Sequence, residues 1–156
     1  MFETIVVGTD GSESAGVAVH RAIELAALTG ATLHIAHAYR PVSAAHMGAA
    51  ASVGAPTFDP ESLNQGMVVQ STELCRRVAQ QARASDVTCE MHPVPGDPSE
   101  VLVDLAEHLK ADLLIVGNRG MTGVRRFMLG SVPNKVAHHA PCSVLIFDTY
   151  EHHEPD

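Results

Sequence analysis

The residues best placed to do chemistry stand in one stretch, Gly117-Asn-Arg-Gly120-Met-Thr-Gly123-Val-Arg-Arg-Phe-Met-Leu-Gly130-Ser131. Glycines let backbone N–H groups approach an anion closely and permit positive φ. Ser131 can cap the helix that follows and share its hydroxyl with a phosphate at the positive helix end. This is the chemistry of a phosphate cradle. From Leu113 to Phe147 there is no Asp or Glu, where average composition would place about four. Four of the ten Lys and Arg residues, Arg119, Arg125, Arg126 and Lys135, lie in that same span. A bound anion is the simplest physical reason for an acidic chain to keep one loop free of negative charge. Single glycines otherwise mark turns, and scattered arginines otherwise solvate a surface. Here glycine spacing, acid depletion and a position between strand and helix agree on the anion. The loop is not a Walker motif, since GxxxxGK[ST] is absent and no GxGxxG follows a strand.

Other reactive residues carry weaker signals. Asp10-Gly-Ser-Glu13 has capping-box spacing, so Asp10 can cap the first helix, contact a ligand, or do both. Thr9 and Ser12 read first as turn and cap residues. Ten histidines invite a metal reading. His34 and His37, three apart on a strand, point to opposite faces and form no local ligand pair. His138 and His139 end a helix, where a partly positive imidazole suits the dipole. No metal site follows from these spacings. No Ser or Cys has a local His and acid arrangement, and no GxSxG elbow is present, so no catalytic residue is assigned. For phosphoryl transfer the loop offers charge but no evident base, and Asp10 alone is available for magnesium.

The elements that must hold these residues alternate. Thr4 to Gly8 reads as a strand, and after the turn at 9–12 a helical pattern runs through Val17, Ile23, Leu25, Ala26 and Leu28 to Gly30. Thr32 to Ala38 is a second strand, and a helix from about Pro60 to Ala84 carries Leu63, Met67, Leu74, Val78 and Ala82. Val87 to Val94 is a third strand. Asp97 as N-cap, Pro98 and Glu100 then open a helix bearing Val101, Leu102, Leu105, Ala106 and Leu109. Asp112 to Gly117 is a fourth strand, apolar after its first residue, and a short helix from Ser131 to His139 precedes a last strand, Cys142 to Phe147. Strands apolar on both faces, alternating with helices, predict a largely parallel sheet covered on both sides. Ligands of such sheets sit outside the carboxyl ends of the strands, so the loops after Gly8, Ala38 and Gly117 frame the candidate site.

Composition bounds the rest. With 156 residues, 46% of them hydrophobic, the chain is one domain with a core of its own. Eighteen acids against ten Lys and Arg give a formal charge of −8, which disfavours nucleic acid and anionic membranes. The longest stretch without Asp, Glu, Lys or Arg, between Arg40 and Asp59, is Ala, Gly, Ser and Pro with His46, too polar to span a bilayer. The start lacks a leader pattern. Cys75, Cys89 and Cys142 show no CxxC spacing, which places the chain in a reducing cytoplasm.

Gly117-x2-Gly120-x9-Gly130-Ser131, the opening Ile-Val-Val-Gly-Thr-Asp-Gly-Ser and the closing Gly-Ser-Val-Pro-Asn-Lys-Val-Ala-His-His-Ala-Pro-Cys-Ser-Val resemble the universal stress protein family, in its ATP-binding form. The resemblance covers essentially 1–148 and leaves 149–156 as an acidic tail. It implies an open five-stranded α/β fold of order 3-2-1-4-5 with helices on both faces, a homodimer, and adenine nucleotide between the first and fourth strand ends. Carried over, Asp10 would contact ribose or adenine and Ala38 would line the adenine pocket. Val116 and Gly117 would lie under the nucleotide, Arg119 and Gly120 near the phosphates, and Gly130, Ser131 and Val132 around the β- and γ-phosphates. Gly8 and Thr9 would border the same site. The expected ligand is ATP, alone or with Mg2+, with cAMP as the alternative. The expected role is regulatory binding in a stress response, against a slow ATPase or phosphotransferase and against an interaction protein without ligand. The fifth strand is expected to form the dimer edge, and residues 41–59 a lid or a plain surface loop.

Overall fold

The computed structural model describes residues 1–43, 59–118 and 129–149. Five parallel strands form one sheet of order β3-β2-β1-β4-β5. They are β1 (Thr4–Gly8), β2 (Thr32–Tyr39), β3 (Cys89–Pro95), β4 (Leu113–Gly117) and β5 (Ser143–Phe147), as the alternation predicts. Among the described residues four helices connect them: α1 (Glu13–Thr29), α2 (Pro60–Ala84), α3 (Pro98–His108) and α4 (Ser131–His139). The segment 41–59, read as a lid or surface loop, lies almost wholly outside the described residues, and so do 119–128 and the tail from Tyr150.

Strand alternation sorts the core into two layers. Ile5, Val7, Leu33, Ile35, Leu113 and Ile115 face α1 and α2, where they meet Ala18, Ala22, Cys75 and Ala79. Val6, Ala36, Leu114 and Val116 face α3 and α4, against Leu102, Ala106 and Val136. Small alanines on the helices let them sit close to the sheet.

The helix faces differ in detail from the sequence reading. α1 buries Ala18, Val19, Ala22, Ile23 and Ala26, while Val17 and Leu28 are exposed. α2 buries its face only from Ser71 onward, and Leu63, Val68 and Val69 stay exposed. Large apolar residues drew the predicted stripe, but the close-packed side of α1 is chosen by size, and its alanines win it. α3 keeps the expected start: Asp97 caps it, its carboxylate accepting from the Ser99 N–H at 3.1 Å, and Pro98 takes the first turn. At the opposite edge of the sheet Asp112 Oδ2 accepts from the N–H groups of Glu3 and Thr4 at 2.8 and 2.9 Å, joining the start of β1 to the start of β4.

Candidate functional site

Strand order reverses between β1 and β4: the chain moves outward from β1 through β2 to β3, then returns to place β4 on the other side. Helices on either side of such a switch point diverge and leave a crevice at the carboxyl strand ends. A cleft lies there, bordered by Gly8, Thr9, Asp10, Ala38, Val116, Gly117, Ser131 and Val132. Residues from four separate expected segments are thus brought together. Arg119 and Gly120 lie outside the described residues. Gly130 directly precedes α4 and is buried.

The turn after β1 shows how the sequence shapes this floor. Thr9 N–H donates to the Ala36 carbonyl at 3.0 Å, and Thr9 Oγ1 accepts from Gly11 N–H at 3.2 Å. Gly11 has φ +78, in the left-handed region that favours glycine. That reversal swings Ser12, not Asp10, into the N-cap position of α1, where its hydroxyl accepts from Ala15 N–H at 3.2 Å. The capping alternative for Asp10 is therefore corrected, and Ser12 is the cap residue it was read as. Asp10 Oδ1 instead accepts from the Ser12 N–H at 3.0 Å and the Ser12 hydroxyl at 2.5 Å, holding the capping serine in place.

α4 corrects a second expectation. Gly130 is the N-cap and Ser131 the first helical residue, so among the described residues no side chain caps this helix. Gly130 has φ −59, open to any residue, so its contribution is the missing side chain rather than unusual backbone freedom. Within the first turn Pro133 has no N–H, and helix geometry gives no intrahelical acceptor to the N–H groups of Ser131 and Val132. These donors start at the cleft. Gly117, at the end of β4, lies where an added Cβ would come within 3.4 Å of the Ser14 carbonyl and 3.1 Å of Thr149 Cγ2. Just beyond it, Asn118 donates to Asp148 at 2.9 Å and accepts from the Thr149 hydroxyl at 2.7 Å, tying the exit of β4 to the chain after β5.

Ser12, Ser14, Ala15, Pro98 and Pro133 also border the cleft, and reading the sequence for the site did not single them out. The signal was available in the alternation itself: in a parallel sheet every connecting helix begins at the carboxyl edge, so the starts of α1, α3 and α4 converge on one crevice. Their dipoles add to an anion-favouring potential. At the rim, Arg40 Nη2 pairs with Asp97 Oδ2 at 2.6 Å, and Lys135 Nζ lies 3.9 Å from Asp97 Oδ1. Bonding from the Ser99 hydroxyl, then Arg40, the Ser99 N–H and Lys135 hold the Asp97 carboxyl at about 2. Behind the floor, His37 Nδ1 lies 2.7 Å from the buried Ser71 hydroxyl. Burial lowers the His37 pKa against the opposing pull of Asp10, so the ring is neutral near pH 7.

With that geometry in view, likeness to known proteins is informative. The sequence model of the Universal stress protein family matches residues 1–148. The universal stress protein Rv1636 of Mycobacterium tuberculosis is 39% identical over 149 residues, covering 95% of this chain and 97% of the relative. A crystal structure described as a universal stress protein in complex with cAMP superposes with a TM-score of 0.68 at 37% identity, covering 96% of this chain and 98% of the other. The universal stress protein UspA of Lactobacillus plantarum shares the fold, with a TM-score of 0.75 at 24% identity over 94% and 97% of the two chains.

Proposed function

This chain belongs to the universal stress protein family, and from that premise we propose that it binds an adenine nucleotide in the cleft between β1 and β4 and acts as a regulatory protein whose bound state is read by partners. The observation that carries this reading is the meeting of Asp10, Ala38 and Gly117 with the start of α4, whose N-cap is a glycine. A helix start with free N–H groups suits phosphate, and a small apolar wall at Ala38 and Val116 suits a flat base. In this reading Asp10 contacts ribose or adenine, Ala38 lines the adenine pocket, and Gly8 and Thr9 border it. Val116 and Gly117 lie under the nucleotide. Arg119 and Gly120 serve the phosphates, and Gly130, Ser131 and Val132 surround the outer ones.

ATP is the first ligand of this proposal. The second reading is cAMP, favoured by the relative of 37% identity that was crystallised with it. Asp10 is the one carboxylate among the described residues bordering the cleft. Mg2+ accompanying ATP would therefore rest mainly on the nucleotide's own phosphates. With no second acid and no histidine among those bordering residues, the site suits retention of a nucleotide better than its turnover. The cytoplasm fits three cysteines without disulfide spacing, and among the described residues no helix is long and apolar enough to cross a membrane.

The chain has no Trp and only Tyr39 and Tyr150, so a co-purified adenine would dominate its near-ultraviolet absorbance. Extraction and mass measurement identify that ligand, and calorimetry with ATP, cAMP and adenosine ranks the three. Arg119→Glu is expected to weaken ATP more than adenosine, because the charge acts on phosphate. Absence of binding by all three ligands would overturn the proposal, and tighter cAMP than ATP would select the second reading.

A further inference from the structure

A separate cluster lies at the β3 margin of the sheet, and none of its residues borders the cleft. Parallel pairing sets His34 beside Glu90 and Ala36 beside His92. Alternation places all four on the side of the sheet that carries Val6 and faces α3. Ala36 offers only a methyl group, which leaves room for the two imidazoles to approach diagonally. His34 Nδ1 and His92 Nε2 are 2.9 Å apart, with ring centroids 5.2 Å from one another. Glu90 Oε2 lies 3.7 Å from His34 Nδ1. One potential ligand atom from each residue falls within 4.8 Å of the other two. His34 is 6% exposed, whereas the Glu90 side chain is 62% exposed, so the cluster has a buried wall and an open mouth.

Two imidazoles and one carboxylate make a nitrogen-rich donor set that suits zinc-class ions and not Mg2+ or Ca2+, which take oxygen ligands. Two nitrogens bound at ~2.05 Å to one tetrahedral ion stand about 3.3 Å apart, so loading requires a separation of only a few tenths of an ångström from the observed contact. Burial lowers the pKa of both rings; His34 lowers that of His92 further, while Glu90 opposes the shift in each. Both rings are neutral near pH 7, and each keeps a lone pair. In the metal-free pair one ring donates its N–H to the other. To accept an ion, that ring moves its proton to its outer nitrogen, a tautomer change that releases no proton overall.

We propose that His34 Nδ1, His92 Nε2 and a Glu90 carboxylate oxygen form a binding site for a divalent zinc-class metal ion, with solvent completing the shell on the open side. The hydrogen-bonded imidazole pair accounts for the 2.9 Å contact alone; strand register adds a third donor beside it, and the three together form the ligand set.

The test uses the full chain, freed of metal by chelator, titrated with Zn2+ by calorimetry, with Co2+ visible absorption as a second readout. The wild type is expected to bind one ion per chain at this cluster and to melt higher with Zn2+. His92→Ala should weaken that binding at least about tenfold, and Glu90→Gln should weaken it by a smaller factor, each variant keeping the wild-type circular dichroism spectrum. Both substituted residues lie on the edge strand and are not fully buried, which keeps the fold test separate from the metal test. Zn2+ binding of unchanged affinity in both folded variants would assign the ion to other histidines and overturn the proposal. Absence of Zn2+ binding by the wild type would do so too, leaving a hydrogen-bonded pair.

Discussion

Asp97 combines three tasks in one carboxylate: it caps α3, receives Arg40 at the rim of the cleft and bonds the buried Ser99 hydroxyl. Its pKa of about 2 sits below the ordinary aspartate range. The sign follows: a carboxyl depressed in the folded state contributes stability above its unfolded pKa, and that contribution disappears as pH falls through the folded value. Asp59 and Asp112 are lowered in the same sense, each by hydrogen bonds. Asp97→Asn keeps a capping acceptor and removes the charge. Its melting temperature should lie below wild type at pH 7, and the gap should close between about pH 4 and pH 2, as thermal melts across that range would show. A constant gap would mean that shape, not charge, sets the difference. Asp97-Pro98-Glu100 was legible in the sequence because local chemistry fixes a helix start. Ser12 was legible as a cap residue, but Asp10 stayed a rival two positions earlier, because the choice between them rests on the backbone of Gly11.

Gly11 links two elements. Its φ of +78 turns the chain from β1 into α1, and an added Cβ would stand 2.6 Å from Leu74 Cδ1 on α2. Gly11→Ala is therefore strained in the backbone and crowded at a neighbour that can partly move. Destabilisation of about 1–3 kcal/mol is expected from urea unfolding. A loss within a few tenths of a kcal/mol would show that the turn relaxes. At this scale the sequence was a good guide to which elements exist, since short apolar runs bounded by turn residues have few alternatives in an alternating chain. It was a poor guide to which helix residues are buried: Val17 and Leu28 are exposed while Ala18 and Ala22 are fully buried. Hydrophobicity marks a face only approximately, and close approach of helix to sheet rewards small side chains. The histidine cluster was invisible for a related reason, since His34 meets His92 only through the register of β2 with β3.

The two margins of the sheet are unequal. β3 carries Pro93 and Pro95, which lack ladder donors and blunt that edge. β5, at the other margin, has neither proline nor charge, and among the described residues its only strand partner is β4. Its side chains are also incompletely covered. Leu145 and Phe147 pack at the rim of the α1 and α2 layer, and Val144 and Ile146 at the rim of the α3 and α4 layer, all four only partly buried. A second copy brought up antiparallel about a two-fold axis would satisfy the open backbone groups and cover both rims at once, a closed contact that does not propagate. The chain is accordingly expected to be a homodimer through β5. Ile146→Lys would place two like charges near the axis, and Leu145→Pro would disturb the strand itself; either should shift the mass measured by light scattering toward monomer at micromolar concentration. Ile146→Lys is the more telling of the two, because proline could also loosen β5 from β4. A wild type that is already monomeric, or a dimer that survives both substitutions, would move the interface elsewhere. The consequence reaches the cleft, because Asn118 bonds Asp148 and Thr149 directly after β5. The expected dimer seam would thus end beside the short connection that positions the exit of β4, where Gly117 borders the cleft.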